Sequence, residues 1–145
     1  MPTAIPPIEI LLVEDNPADV RLTREALKEA QTPSRLHVAE DGVRAMSFLR
    51  GEEGQKQPKP DLILLDLNLP RKDGREVLDE IKRDEALKHI PVVILTTSQA
   101  ELDILRSYQL RANAYITKPV DLDQFFHTMK SIDTFWLGIA KLARP

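Results

Sequence analysis

Five side chains that could do chemistry stand where apolar runs of the sequence end: Glu14, Asp15, Asp66, Thr96 and Lys118. Carboxylates that lie close together repel one another, and such a cluster persists where a cation is bound. Oxygen ligands without cysteine or a nearby histidine select a hard ion, and magnesium is the expected one. These residues therefore indicate a divalent-metal site with a hydroxyl and an ammonium group beside it.

Each of these residues also has a purely structural explanation. An acid between a strand and a helix, such as Asp15, often caps the helix, and Asp66 could begin a turn. Thr96 is a β-branched residue in a strand, and a lysine before proline, as at Lys118, is more often solvated than catalytic. If all of these explanations held, chance would have placed such residues at four independent strand ends. A single common site explains the whole set more simply.

Five short apolar runs would position these residues. Three of them, IEILLV, DLILL and PVVIL, are apolar almost throughout, which is typical of strands covered on both faces of a parallel sheet. The predicted strands are 8–13, 35–39, 61–65, 91–95 and 114–117, with helical patterns between them. This alternation predicts a doubly wound α/β domain, in which sites form beyond the carboxyl ends of the strands.

Local signals place two of the helices and one loop. Asn16 is a suitable N-cap and Pro17 a suitable first residue for the helix after the first strand. Val77, Leu78 and Ile81 recur at helical spacing after the third strand. The polar segment GEEGQKQPKP at 51–60 predicts a surface insertion.

Composition limits the classes of function. The 145 residues predict one domain, with a tail at 1–7, a core at 8–130 and an extension at 131–145. The net charge of -3 gives no general electrostatic reason to bind nucleic acid or an anionic membrane. The sequence contains no cysteine, which excludes disulfides and thiol catalysis. Without a long apolar run or a signal-peptide pattern, a cytoplasmic location is expected.

The sequence resembles the response regulator receiver family over residues 8 to about 130. Four motifs carry the resemblance: LLVEDN at 11–16, LLDLNLPRKDG at 64–74, LTTS at 95–98 and YITKP at 115–119. The separations also fit, with 30 residues from Asp66 to Thr96 and 22 from Thr96 to Lys118. The resemblance implies a flavodoxin-like, five-stranded parallel sheet of order 2-1-3-4-5.

The resemblance also implies a role for each site residue. Asp66 would be the phosphoacceptor, Glu14 and Asp15 the acidic pair, and Asn68 would offer its backbone carbonyl to the metal. The implied metal is Mg²⁺, for which Mn²⁺ or Ca²⁺ can substitute. Glu14 stands where many members have aspartate, which leaves the site intact.

The same resemblance implies a switch on the last two strands. Lys118 would bind the phosphoryl group and act with Thr96 in the transfer to Asp66. Thr96 and Tyr115 would be the switch residues. The bond between Lys118 and Pro119 is expected to be cis, which would aim the lysine into the site.

The implied function is that of a signalling switch rather than an enzyme. A sensor histidine kinase would donate the phosphoryl group, and output would pass through contacts with a downstream protein that the sequence does not name. The runs LNLPRKDGREVLDEIK, IPVVILTTS and IDTFWL look most like the response regulators paired with cyanobacterial phytochromes. The serious alternative is a receiver-like interaction module that works without phosphorylation.

Other phosphate-handling classes fit less well. A phosphatase of the haloacid-dehalogenase type needs an acid two residues after its nucleophile, where this chain has Asn68. The first turn of a flavodoxin receives a phosphate, which Glu14 and Asp15 would repel. A nucleotide-binding loop such as GxxxxGKS is absent from the sequence.

The C-terminal segment predicts a homodimer. A single extended helix over 121–142 would span about 33 Å at about 1.5 Å per residue, so its end must overhang the sheet or fold back. Its apolar residues cover too much of the helix circumference for one sheet face to bury: Ile132, Phe135, Trp136, Leu137, Ile139 and Leu142. Trp and Phe are favoured interface anchors. The alternative is a tail that folds back over its own domain at Gly138.

Overall fold

The computed structural model describes residues 7–28, 33–51, 59–96 and 114–117, with Thr96 and 114–117 described by their backbone. Strand and helix alternate in the order β1 (Ile8–Val13), α1 (Pro17–Lys28), β2 (Ser34–Ala39), α2 (Gly42–Arg50), β3 (Leu62–Asp66), α3 (Gly74–Arg83), β4 (Val92–Thr96) and β5 (Ala114–Thr117). Lys118, the predicted helix at 121–142 and most of the predicted insertion at 51–60 lie outside the described residues.

The strands form one parallel sheet in the order β2-β1-β3-β4-β5. The first four strands follow the order that the family resemblance implies, and β5 lies beside β4. Because β1 lies between β2 and β3, the chain reverses its direction of winding after β2. This is the kind of switch point at which α/β sheets bind ligands.

Helices cover both faces of the sheet, which explains the continuous apolar strands. On one face, α1 packs on strand residues through a cluster that includes Ile10, Leu12, Ala26, Leu27, Leu62 and Leu64. On the other face, α2 and α3 pack through Leu11, Val13, Met46, Ile63, Leu65, Val77, Leu78 and Ile81. The predicted doubly wound arrangement is confirmed for this part of the chain.

Two strands end one residue later than the sequence predicts. The predicted strands 61–65 and 91–95 are observed as Leu62–Asp66 and Val92–Thr96. Asp66 is paired in register with Leu95, and the Leu67 N–H donates to the Leu95 carbonyl at 3.3 Å. Asp66 is therefore the last residue of a buried strand, and its backbone is paired with β4.

Side-chain caps begin the helices just beyond the strands. The Asn16 Oδ1 accepts the backbone N–H groups of Ala18 and Asp19, at 2.9 and 3.4 Å, which agrees with the predicted cap of α1. Asp41 caps α2 and Asp73 caps α3. Within the part of the chain that the structure describes, no helix is long and apolar enough to cross a membrane.

Candidate metal and phosphoacceptor site

Three predicted acids meet at the carboxyl edge of the sheet. Glu14 and Asp15 directly follow β1, and Asp66 ends the adjacent β3, where Val13 is paired with Leu65. One carboxylate oxygen from each acid lies within 4.8 Å of the other two. Residues that are about 50 positions apart in the sequence are thus brought together because parallel neighbouring strands end at the same edge.

Burial makes this arrangement costly without a counter-charge. Glu14 is 1% exposed and Asp66 is 3% exposed, whereas Asp15 is exposed. Two like charges at about 4 Å repel by about 4 kcal/mol at an effective dielectric of about 20. All three donors are carboxylate oxygens, the ligands that hard divalent cations prefer. The donor set therefore fits Mg²⁺ or a similar ion.

Backbone contacts hold the acids in place. The Asp66 Oδ1 accepts the Asn68 N–H at 3.0 Å, which turns the chain back towards the strand end. The Glu14 N–H donates to the Ala39 carbonyl of β2 at 3.0 Å. Asn68, whose carbonyl the resemblance offers to the metal, therefore lies in a turn that is tied to the Asp66 carboxylate.

The predicted switch residues are located by their backbone. Thr96 is the last residue of β4 and is paired with Thr117, while Tyr115 of β5 is paired with Ile94. Since Leu95 is paired with Asp66, Thr96 lies one position beyond Asp66 on the neighbouring strand. Lys118 lies outside the described residues, so its predicted role stays a prediction.

Several contacts around the site were not predicted from the sequence, from which Arg71 and Lys72 are expected only to form a solvated rim of the loop. Gly74 donates its N–H to the Leu67 carbonyl at 3.2 Å and closes the loop between β3 and α3. Asp41 and Gly42, at the start of α2, contact the same loop at Arg71 and Lys72. Asp41 before an apolar helix could have been predicted as a cap from its type and position. Its contact with Arg71 has no local sequence signal.

Comparison with known protein families identifies the family to which a chain with this sheet and acidic cluster belongs. The sequence model of the response regulator receiver domain matches residues 10–130. This chain belongs to the response regulator receiver family. Receiver domains bind divalent metal and are signalling proteins that are generally not enzymes. The cluster of three acids, which could hold such a metal, agrees with this membership.

Individual relatives refine the match. The response regulator Rcp1 of Synechocystis sp. is 52% identical over 138 residues, which cover 94% of each chain. The crystal structure of the phosphorylated cyanobacterial phytochrome response regulator RcpA is similar with a TM-score of 0.79 and 54% identity, covering 92% of this receiver and 96% of RcpA. The crystal structure of the Mn²⁺-bound form of Rcp1 is similar with a TM-score of 0.76 and 52% identity. The match covers 90% of this receiver and 95% of that chain. The predicted likeness to phytochrome response regulators is confirmed.

Proposed function

We propose that this receiver is the phosphorylated switch of a two-component pathway and that Asp66 accepts the phosphoryl group from a sensor histidine kinase. The observation that carries the proposal is the convergence of Glu14, Asp15 and Asp66 within 4.8 Å at the edge of the sheet. A structural cap needs one carboxylate, whereas a phosphoacceptor needs a nucleophile and a metal site together.

The chain's own residues would carry the transfer. The Asn68 N–H orients the Asp66 carboxylate, and one Asp66 oxygen attacks the phosphorus of the kinase phosphohistidine. The new O–P bond forms as the N–P bond breaks, and the electron pair returns to the imidazole. Glu14, Asp15, Asp66 and the Asn68 carbonyl would hold magnesium, which would supply positive charge that offsets the repulsion between anions.

Strands β4 and β5 would read the phosphoryl group. Lys118 acts as a point charge on the transferred oxygens. The Thr96 hydroxyl turns towards a phosphoryl oxygen and vacates space for Tyr115. This repacks the face of β4 and β5 that partner proteins contact. The family membership and the backbone positions of Thr96 and Tyr115 support this part of the proposal.

The proposed pathway is phytochrome signalling. The likeness to RcpA and Rcp1 supports a phytochrome-type histidine kinase as the phosphodonor. We propose a single domain with a tail at 1–7, a core at 8–130 and an extension at 131–145. It would act in the cytoplasm, signal through protein contacts and form a homodimer through its C-terminal helix region. Neither nucleic acid nor a membrane is among its proposed partners.

Phosphotransfer from a panel of purified kinases tests the proposal. Each kinase is first phosphorylated on its histidine, freed of nucleotide and then mixed with this receiver and Mg²⁺. We expect label to move to the receiver from phytochrome-type kinases within seconds to minutes, and a chelator to stop the transfer. If no kinase and no small phosphodonor labels the receiver, it works as an interaction module without phosphorylation.

A further inference from the structure

The loop between β3 and α3 contains a strained turn. Arg71 has a φ of 67°, in the left-handed region that residues other than glycine rarely adopt. The Lys72 N–H donates to the Pro70 carbonyl at 2.8 Å, so the chain closes around Arg71 as a γ-turn with a positive central φ. Strained backbone of this kind persists where surrounding contacts hold it, and it is frequent at functional sites.

Contacts on two sides hold this turn. The Arg71 Nη1 lies 3.5 Å from the Oδ2 of Asp41, the N-cap of α2. The Lys72 Nζ lies 2.7 Å from the Oε2 of Glu80 on α3. The Lys72 backbone rests on Gly42, where a Cβ atom would stand 2.3 Å from the Lys72 carbonyl oxygen. The turn is therefore packed between the first residues of α2 and the middle of α3.

Asp41 provides the rigid half of the ion pair with Arg71. Its side chain is buried, and its Oδ1 accepts the Arg44 N–H at 2.8 Å, while its Oδ2 faces Arg71 and also lies 3.7 Å from the Arg44 Nε. The Arg71 side chain is 60% exposed and has no such packing. Since the carboxylate is anchored to α2, the pair restrains Arg71 rather than Asp41.

The same loop supplies the proposed metal ligand. Asn68 is three residues before Arg71, and its N–H is bonded to the Asp66 carboxylate. At the other end, the Gly74 N–H is bonded to the Leu67 carbonyl. Both ends of the loop are thus bonded to the end of β3. If the backbone at Arg71 changed its conformation, the few residues between Asn68 and Gly74 would have to shift to accommodate it. The Asn68 carbonyl is among these residues.

We propose that Arg71 and Asp41 are positioning residues that hold the β3–α3 loop in its metal-binding conformation. The inference rests on the proposed function, in which the Asn68 carbonyl contacts the ion. It adds a link between the metal site and α2 through two residues that do not touch the ion. The geometry predicts that breaking this link weakens metal binding without removing a ligand.

Calorimetric titration of the full chain with Mg²⁺ tests the link. Asp41→Asn keeps the helix cap, because asparagine caps as well as aspartate, but it removes the charge that faces Arg71. We expect Asp41→Asn and Arg71→Ala each to weaken binding about three- to tenfold, less than the roughly 10–100-fold typical of direct supports of metal ligands, since Arg71 is exposed. The double variant should bind no more weakly than either single variant.

Three further variants separate the causes. Arg44→Ala removes the other cation beside Asp41 but leaves the loop untouched, and it should bind Mg²⁺ like the wild type. Arg71→Gly loses the contact but also relieves the positive φ that the contact restrains, so it should bind more weakly than the wild type and more tightly than Arg71→Ala. Arg71→Lys keeps a charge within reach of a single carboxylate oxygen and should restore most of the affinity.

The rate of labelling by a small phosphodonor distinguishes positioning from general damage. In Arg71→Ala the Mg²⁺ concentration that gives half the maximal rate should rise about three- to tenfold, as the calorimetric dissociation constant does. The rate at saturating Mg²⁺ should match that of the wild type. A loss of rate at every Mg²⁺ concentration would overturn the inference, as would unchanged binding in Arg71→Ala or additive losses in the double variant. Failure of the wild-type chain to bind Mg²⁺ would instead overturn the proposed function, and this inference with it.

Discussion

Gly74 lies directly against the backbone of Asp66: a Cβ atom at position 74 would stand 2.3 Å from the Asp66 carbonyl oxygen and 2.6 Å from the Leu67 Cα. Backbone atoms cannot give way as a flexible side chain can. The first residue of α3 must therefore be glycine if the helix is to begin beside the strand end. Asp66, the proposed phosphoacceptor, and the helix that follows it are thus packed backbone against backbone.

We expect Gly74→Ala to damage both stability and phosphorylation. Overpacking of this kind costs about 1–3 kcal/mol of unfolding free energy, and the displaced backbone is that of Asp66 itself. Urea denaturation and the rate of labelling measure the two effects. Gly51→Ala is the matched control, because Gly51 has a φ of 65° but no atom within 4 Å of a Cβ. It should lose about 1 kcal/mol and label normally. Equal labelling of both variants would contradict the expected role of Gly74.

Asp66→Asn should abolish labelling by a small phosphodonor with Mg²⁺. The amide is not nucleophilic and removes one charge from the metal site. Asp61→Asn is the control just before the same strand: Asp61 lies at the opposite edge of the sheet, where its Oδ2 accepts the Glu9 N–H at 2.9 Å. The amide oxygen can keep that bond, so labelling should continue. Mass spectrometry of the labelled chain locates the phosphoryl group, and label on the Asp66→Asn variant would refute the assignment.

Asp15→Asn should stabilise the metal-free protein and reduce the effect of metal. Removing one of three clustered charges relieves their repulsion. Because Asp15 is exposed, this relief should raise the free energy of unfolding by about 1 kcal/mol. The wild type should become more stable in Mg²⁺, because an ion that binds only the folded state stabilises that state. Thermal unfolding in chelator and in Mg²⁺ measures both effects. Glu25→Gln, an exposed acid on α1 outside the cluster, should change neither; an Asp15→Asn variant with a full metal response would exclude Asp15 as a ligand.

Lys118→Ala should accept a phosphoryl group slowly yet fail to transmit it. The variant lacks the charge that is proposed to couple the phosphoryl oxygens to β5, while Asp66 remains. Hydrogen exchange measured before and after labelling should show a change at β4 and β5 in the wild type and none in the variant. Thr96→Ala should behave similarly, and Lys88→Ala, which removes a surface pair with Glu85, should behave as the wild type. Normal exchange changes in Lys118→Ala would exclude the coupling role.

The intact chain should sediment near twice its mass of 16.5 kDa. A chain that ends at Ser131 lacks the dense apolar residues of the C-terminal extension and should sediment as a monomer. Labelling of the truncated chain checks that the receiver core is intact. A wild-type monomer at high micromolar concentration, both with and without phosphorylation, would rule out the dimer.

The amino-acid sequence by itself determined the sheet and the identity of the acids. Continuous apolar runs such as LLV before Glu14 and LILL before Asp66 indicate burial on both faces, which a covered parallel sheet provides. The Asn16 cap could likewise be predicted, because it depends on residues two and three positions away. These features are local, so residue types and short spacings specify them.

Only the tertiary structure decided which residues of the β3–α3 loop contact α2, and how closely α3 approaches the end of β3. The contact of Arg71 with Asp41 joins residues 30 positions apart, and neither residue type nor periodicity marks the pair. The same holds for Gly42 beneath Lys72 and for Gly74 against Asp66, where the absence of a side chain matters only because another backbone segment approaches. Such close approaches follow from how α2, α3 and the strand ends pack together. Their distances are set by the packed core rather than by any single segment.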